Sequence, residues 1–255
     1  MIINDFFTSV IPRARRAKLI LKNEGFWVLV KQITKHYAFL FSLPFCFRKI
    51  KRIKFDSIDR LVDFVFCSYF GYLAPIQVRS EIISLLRRVK ELKPRVIMEI
   101  GTAQGGTLFS LARVAPDDSL MIGLDLPRRR RDYPWWKLRL FKSFARNKQQ
   151  IYLIRKDSHR EETLAEVKKI LNGRPIDFLF IDGDHSYDGI KRDFELYSPL
   201  VRRGGIIALH DVARHPLQVN CRVDMFWQEL KDKHEFEEFI ENERQAWAGI
   251  GLIKI

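Results

Sequence analysis

The chain has 255 residues and a formal charge of +14 at neutral pH, enough for one large α/β domain, or for a domain of about 180 residues with an appendage, around a proper core. Its three cysteines, Cys46, Cys67 and Cys221, are scattered and show no CxxC spacing, which excludes a disulfide framework or a zinc knuckle and fits a reducing, cytoplasmic setting. No window reaches the roughly 18 uninterrupted apolar residues of a spanning helix, and the N-terminus lacks a signal-peptide pattern.

The charge is unevenly placed. Residues 1–55 hold twelve Lys or Arg against Asp5 and Glu24, a net of +10 that leaves +4 for the remaining 200. Ten aromatics share that segment, among them Phe26, Trp27, Tyr37 and Phe47. Such a composition suits an anionic membrane surface or a nucleic acid. Near Pro75 the text changes from basic, aromatic and aperiodic to regular, so residues 1–75 are expected to form a basic, helical N-terminal extension and 76–255 a domain.

In the domain, IQVRSEIISLLRRVKEL (76–92) repeats apolar positions at helical spacing and stops at Lys93-Pro94. Five short apolar runs follow: RVIMEI (95–100), SLMIGLD (119–125), IYLIRKD (151–157), IDFLFID (176–182) and GGIIALHD (204–211). Helical stretches alternate with them, which predicts right-handed crossovers and a parallel sheet covered on both faces. The tail reads as one more helix, CRVDMFWQELKDK, and two closing strands, HEFEEFI and GIGLIKI. The fold class is therefore α/β, a doubly wound, mostly parallel seven-stranded sheet. In such a sheet the ligand lies beyond the carboxyl ends of the strands, and Glu99, Asp125, Asp157, Asp182 and Asp211 all fall there.

The first strand runs into EIGTAQGGTLFSLA (99–112), where Gly101 and Gly105 allow a sharp turn and a close ligand approach. A dinucleotide turn would read GxGxxG, but Ala103 replaces the second glycine, and Glu99 suits a cationic ligand better than a pyrophosphate. ExGxxxG after strand one, Asp125 ending strand two and Asp157-Ser158 after strand three resemble the class I S-adenosylmethionine-dependent methyltransferases, with their Rossmann-like fold. The resemblance implies that Gly101, Thr102, Gln104, Gly105 and Gly106 line the amino-acid end of S-adenosylmethionine. It implies that Asp125 holds the ribose and Asp157 with Ser158 the adenine, while Glu99 orients the loop or the cofactor ammonium. An NAD-type oxidoreductase is the enzyme alternative, since Asp125 also suits a ribose; the YxxxK pair Tyr133 and Lys137 lies outside the helix such enzymes use.

Adjacent parallel strands lie about 4.8 Å apart, so Asp182 after strand four and His210-Asp211 after strand five can share a ligand. Two carboxylates with an imidazole make a hard, mostly oxygen site suited to Mg2+ or Mn2+. The stretch DGDHSYDGIKRDFELYSPLVRRGGIIALHD is similar to that of the metal-dependent small-molecule and sugar O-methyltransferases, in the macrocin O-methyltransferase and cephalosporin hydroxylase-like branch. That resemblance covers about residues 76–255. It implies metal ligation by Asp182, His210 and Asp211, although the family's strand-five pair is usually two carboxylates or Asp-Asn. The family's base maps to Asp184, and His185, with an unperturbed pKa near 6.5, competes for that role beside Asp182.

Other features read more plainly. Asp188 is a first-turn helix acid, Phe226 and Trp227 are core, and His159, His215 and His234 are surface or capping residues. The basic, aromatic insertion at 127–148 is expected to cover the acceptor, with Arg128–Arg131 against phosphate and Tyr133, Trp135 or Trp136 against a sugar ring. The expected acceptor is a small molecule or glycan, and residues 1–55 are expected to attach the protein peripherally to the inner membrane face. Nucleic-acid methylation is disfavoured because the catalytic part carries only +4 and no NPPY-type motif. A non-catalytic cofactor-binding module and a homo-oligomer stay open.

Overall fold

The computed structural model describes residues 25–28, 30, 31, 34, 47–67, 73–126, 135–216, 218–242 and 244–255. Helices α1 (Ile58–Cys67) and α2 (Arg79–Leu92) precede β1 (Val96–Ile100), α3 (Gly106–Val114), β2 (Leu120–Leu124), α4 (Trp135–Lys142) and β3 (Gln150–Ile154). Then come α5 (Glu161–Leu171), β4 (Ile176–Ile181), α6 (Tyr187–Tyr197), β5 (Val201–His210), α7 (Val223–Lys231), β6 (Phe236–Phe239) and β7 (Ile250–Lys254). The expected helix stop is in place: Lys93 turns left-handed at φ 50° and its N–H returns to the Val89 carbonyl.

The sheet order is β3-β2-β1-β4-β5-β7-β6. β1 to β5 pair in parallel, while β7 runs antiparallel to both β5 and β6. That reversed strand departs from the dinucleotide-binding order, in which the sixth strand follows the fifth directly, and so sets the oxidoreductase alternative aside. The order also reverses between β1 and β4, so the chain ends of those strands open onto one crevice.

Strand periodicity splits the core into two layers. Ile97, Met121, Phe178 and Phe180 join the layer under α1 to α4, which includes Val62, Leu86, Phe109 and Phe141. Met98, Ile122, Leu179 and Ile181 join the layer under α5 to α7, with Val167, Ile190 and Trp227. Burial on both faces explains why these strands read as continuous apolar runs rather than alternating ones. Phe226 and Trp227 are core, as expected.

Packing crosses the compositional break near residue 75. Ile50, Leu61, Val62 and Val65 are buried within the first layer. The guanidinium of Arg113 donates to the carbonyls of Phe144 and Ile50, so residues 47–67 pack together with the described part of the domain. Among the described residues, no helix is long and apolar enough to cross a membrane.

Candidate active site

At the end of β1 the chain turns under Gly101, whose φ of +93° and close approach both demand glycine: a Cβ there would lie 1.9 Å from the Asp182 carbonyl oxygen. Gly105 is likewise left-handed at φ +81°, with a Cβ position 2.3 Å from the Phe141 ring. The loop is tied to β2 by the Asp125 carboxylate, which accepts the Ala103 N–H at 2.9 Å. Thr102 is buried, Gln104 is exposed, and Gly106 starts α3 against the Leu73 carbonyl.

Glu99 sits beneath this loop, 1% exposed, with Oε2 lacking any partner. Burial, then the neighbouring Asp182 and Asp125 charges, hold its carboxyl well above the ordinary range. A buried acid with an orphaned oxygen, beside a glycine cradle, fits a ligand that brings a positive charge. The ammonium and sulfonium of S-adenosylmethionine meet that requirement, and Asp125, expected to hold the ribose, lies at the β2 end.

Beyond β3, Asp157 accepts the His159 N–H at 3.0 Å and lies 3.4 Å from the Arg160 Nε. The Ser158 carbonyl accepts the Tyr197 hydroxyl at 2.8 Å. These bonds anchor the loop assigned to adenine onto α6. Under it lies Asp193, with no exposed surface, 3.4 Å from His159 Nε2 and without hydrogen-bond geometry to it.

At the ends of β4 and β5 the expected residues meet. His210 Nδ1 lies 3.2 Å from Asp182 Oδ1 and 3.4 Å from Asp211 Oδ1. The imidazole is 4% exposed, and neither ring nitrogen makes a geometrically sound hydrogen bond. Burial opposes its charge, but the Asp182 and Asp211 carboxylates outweigh that and push its pKa up to about 10. Asp211 leaves β5 in the left-handed region, φ 63°, and its Oδ2 lies 2.7 Å from His185 Nδ1. Burial works against the Asp211 charge, yet the hydrogen bond from His185 and the close His210 imidazole hold its carboxyl far below the ordinary range. The hydrogen bond to Asp211 in turn raises the His185 pKa above 6.5 despite burial.

Asp184 is placed differently. Burial works against its charge, but its Oδ1 accepts the Ser186 N–H at 2.9 Å, and this bond leads the influences that hold its carboxyl below the ordinary range. Ser186 caps α6 by accepting the Gly189 N–H at 3.1 Å, and Asp188 is a first-turn acid. Asp184 thus builds the turn that presents His185.

One carboxylate oxygen each from Asp182 and Asp211 and a nitrogen of His210 lie within 4.8 Å of one another. Two carboxylates around an imidazole without a sound hydrogen bond fit a divalent cation, and the donor set favours a hard one.

Sequence reasoning missed three residues here. Gln77, 5% exposed, donates to Asp182 Oδ2 at 2.9 Å and accepts the Thr107 hydroxyl at 3.2 Å. His215 is not a surface residue: its side chain is 6% exposed, with Nε2 3.3 Å from Asp211 Oδ1 and Nδ1 bonded to the Ala213 carbonyl. Its spacing of four from Asp211 was the available signal. Glu81, buried at the start of α2, accepts the Gly249 N–H at 3.0 Å and so holds the β6–β7 connection beside β5. Trp136, one of the three rings considered for an acceptor, is partly buried and packs against the first core layer. Residues 127–134, with Arg128–Arg131 and Tyr133, and the side chain of Trp135 lie outside the described residues.

The glycine loop, the acid following β2 and the order with its reversed seventh strand give the chain the Rossmann-like fold of the class I S-adenosylmethionine-dependent methyltransferases. The model of a methyltransferase-domain family matches residues 98–212, somewhat less than half of the chain. Uncharacterized protein R132 of Acanthamoeba polyphaga mimivirus is 32% identical over 161 residues, covering 61% of this chain and 70% of that protein. Among solved structures, the O-methyltransferase TomG of Streptomyces achromogenes, involved in tomaymycin synthesis and bound to SAM, aligns over 80% of this chain and 92% of its own, at 17% identity and TM-score 0.52. The O-methyltransferase of Bacillus cereus with bound SAH aligns over 80% and 93%, at 16% identity and TM-score 0.53. Cofactor-bound Rv0187 from MTB aligns over 77% and 95%, at 18% identity and TM-score 0.56. At these identities the structures establish the shared fold.

Proposed function

We propose that the protein transfers the methyl group of S-adenosylmethionine to a hydroxyl of a small-molecule or glycan acceptor, with Mg2+ or Mn2+ held by Asp182, His210 and Asp211. The observation that carries this reading is the cation-fitted cluster of Asp182, His210 and Asp211, joined through Asp211 to His185 and through Gly101 to the cofactor loop. It supports a reading of the chain as a metal-dependent small-molecule O-methyltransferase of the macrocin-type branch.

S-adenosylmethionine supplies an electrophilic methyl on a cationic sulfur, and a bound divalent ion would lower the pKa of the acceptor hydroxyl. Glu99 compensates the cofactor's positive charge, and the Gly101 turn lets the backbone approach it. Asp125 takes the ribose, and Asp157 with Ser158 the adenine. His185 is the base: its Nδ1 is held by Asp211, which orients the ring and leaves Nε2 to take the acceptor proton. Asp184 is the weaker candidate because its carboxylate is committed to the Ser186 N–H and held below the ordinary range. Residues 1–55, mostly outside the described residues, would bring the enzyme to an anionic membrane surface that presents lipid-linked glycan.

The test is methyl transfer from isotopically labelled S-adenosylmethionine into fractionated cell extract, using EDTA-treated protein with and without added Mg2+. Activity is expected to return with the metal and to be lost in Asp182→Ala. Full activity of that variant in EDTA would end the metal-dependent reading.

A further inference from the structure

Cys221 has no part in the reaction proposed above, yet it lies against the site. A nitrogen of His185, a carboxylate oxygen of Asp211 and the Cys221 Sγ all fall within 4.8 Å of one another. The arrangement is held by backbone: the Arg222 N–H donates to the His185 carbonyl at 2.8 Å, fixing the segment before α7 onto the β4–α6 turn. Cys221 is 4% exposed, two residues before α7, and its sulfur accepts the Val223 N–H. The two Asp211 oxygens also divide between neighbours. Oδ1 lies 3.4 Å from His210 Nδ1 and 3.3 Å from His215 Nε2, whereas Oδ2 lies 2.7 Å from His185 Nδ1.

The donor chemistry differs from that of the first cluster. One imidazole, one thiolate and one carboxylate oxygen form a borderline-soft set that Zn2+ takes readily and Mg2+ does not. Tetrahedral zinc with arms of about 2.0–2.3 Å places its donors roughly 3.5 Å apart. Three donors already within 4.8 Å therefore reach that geometry by small side-chain rotations.

We propose that His185, Asp211 and Cys221 form a second metal site, for a thiophilic divalent ion such as Zn2+, bridged by Asp211 to the Asp182–His210 cluster. On binding, the Cys221 thiol gives its proton to solvent and the sulfur and the ring of His185 each bond the ion. A fourth position stays open to water. Zinc there takes the histidine out of proton transfer, so the ion inhibits methyl transfer. That inhibition rests on His185 being the base, whereas the binding itself does not.

The experiment uses the full-length protein, stripped of metal and kept in Mg2+ buffer, with Co2+ as the spectroscopic probe for Zn2+. Thiolate-bound Co2+ gives a near-ultraviolet charge-transfer band. The band is expected in the native chain and in a Cys46→Ser, Cys67→Ser variant, and lost in Cys221→Ser. Zinc titration by calorimetry is expected to be at least tenfold weaker in both Cys221→Ser and Cys221→Val, each checked for folding by circular dichroism. Absence of the band from native protein, its persistence in Cys221→Ser, or unchanged zinc affinity in both variants would overturn the site. A native enzyme that shows the band with Co2+ yet methylates at full rate when saturated with zinc would keep the site and remove His185 from the base role.

Discussion

The His185–Asp211 pair makes a pH argument at the scale of one side chain. A base must be neutral to accept a proton, and the hydrogen bond to Asp211 raises the His185 pKa above its ordinary 6.5. The imidazole is therefore charged and inactive at low pH, and kcat/KM should climb with a slope of one to a plateau that begins above pH 6.5. Replacing His185 by Gln should cost about 10²–10⁴ in kcat and flatten that acid limb. An unchanged pH profile in His185→Gln would assign the acid limb elsewhere, with Asp184 the next candidate. Asp182, His210 and Asp211 were legible because they sit in order at strand ends, where the fold class itself puts ligands. Gln77 was not: 105 positions separate it from Asp182, and the contact exists because α2 starts over the crevice. No local pattern encodes such a pairing.

At the scale of elements, α6 carries a burden that its surface does not show. It buries Asp193 beneath the Asp157–Ser158 loop, and burial raises that carboxyl from its ordinary 3.8 to about 6, against the opposing influences of Ser158 and His159. The folded chain thus holds a proton that the unfolded chain has released between those two values. The stability this proton contributes is complete below about pH 3.8 and is lost as pH rises through about 6. The displacement corresponds to about 3 kcal/mol as an upper figure. Asparagine imitates the protonated acid, so Asp193→Asn should melt several degrees above the native chain at pH 7.5, with the difference vanishing near pH 4. A lower melting temperature for the variant at pH 7.5 would mean that the His159 contact holds the charged carboxylate after all. In the sequence Asp193 looks like any polar position of an amphipathic helix. The elements themselves were legible because strands buried on both faces are short apolar runs and Lys93-Pro94 punctuates α2. β5 extends three residues earlier than its apolar core suggests, since Val201 pairs with Ile176 ahead of a register shift.

For the whole molecule, charge and packing draw different lines. The first 55 residues carry +10 of the total +14, yet Ile50 is fully buried in the first core layer and Arg113 binds its carbonyl. Composition locates the surface proposed for a partner, and packing marks where the folded unit can be cut. Phe26 and Trp27 stack edge to face at 5.5 Å while remaining 58% and 79% exposed, a pair of rings of the kind that settles at a membrane interface. Each basic residue near an anionic leaflet contributes about 1 kcal/mol, screened over about 10 Å at 0.1 M salt and about 3 Å at 1 M. Full-length protein should therefore float with phosphatidylserine-containing vesicles at low salt and be released at high salt, while neutral vesicles hold little of it. Deletion of residues 1–46 removes seven basic residues but keeps Ile50, so the shortened chain should stay folded and fail to float. Deletion through residue 55 would confuse lost binding with lost packing. If the full-length chain stays in the bottom fraction with anionic vesicles at low salt, the basic segment serves some other anionic partner, and membrane attachment falls.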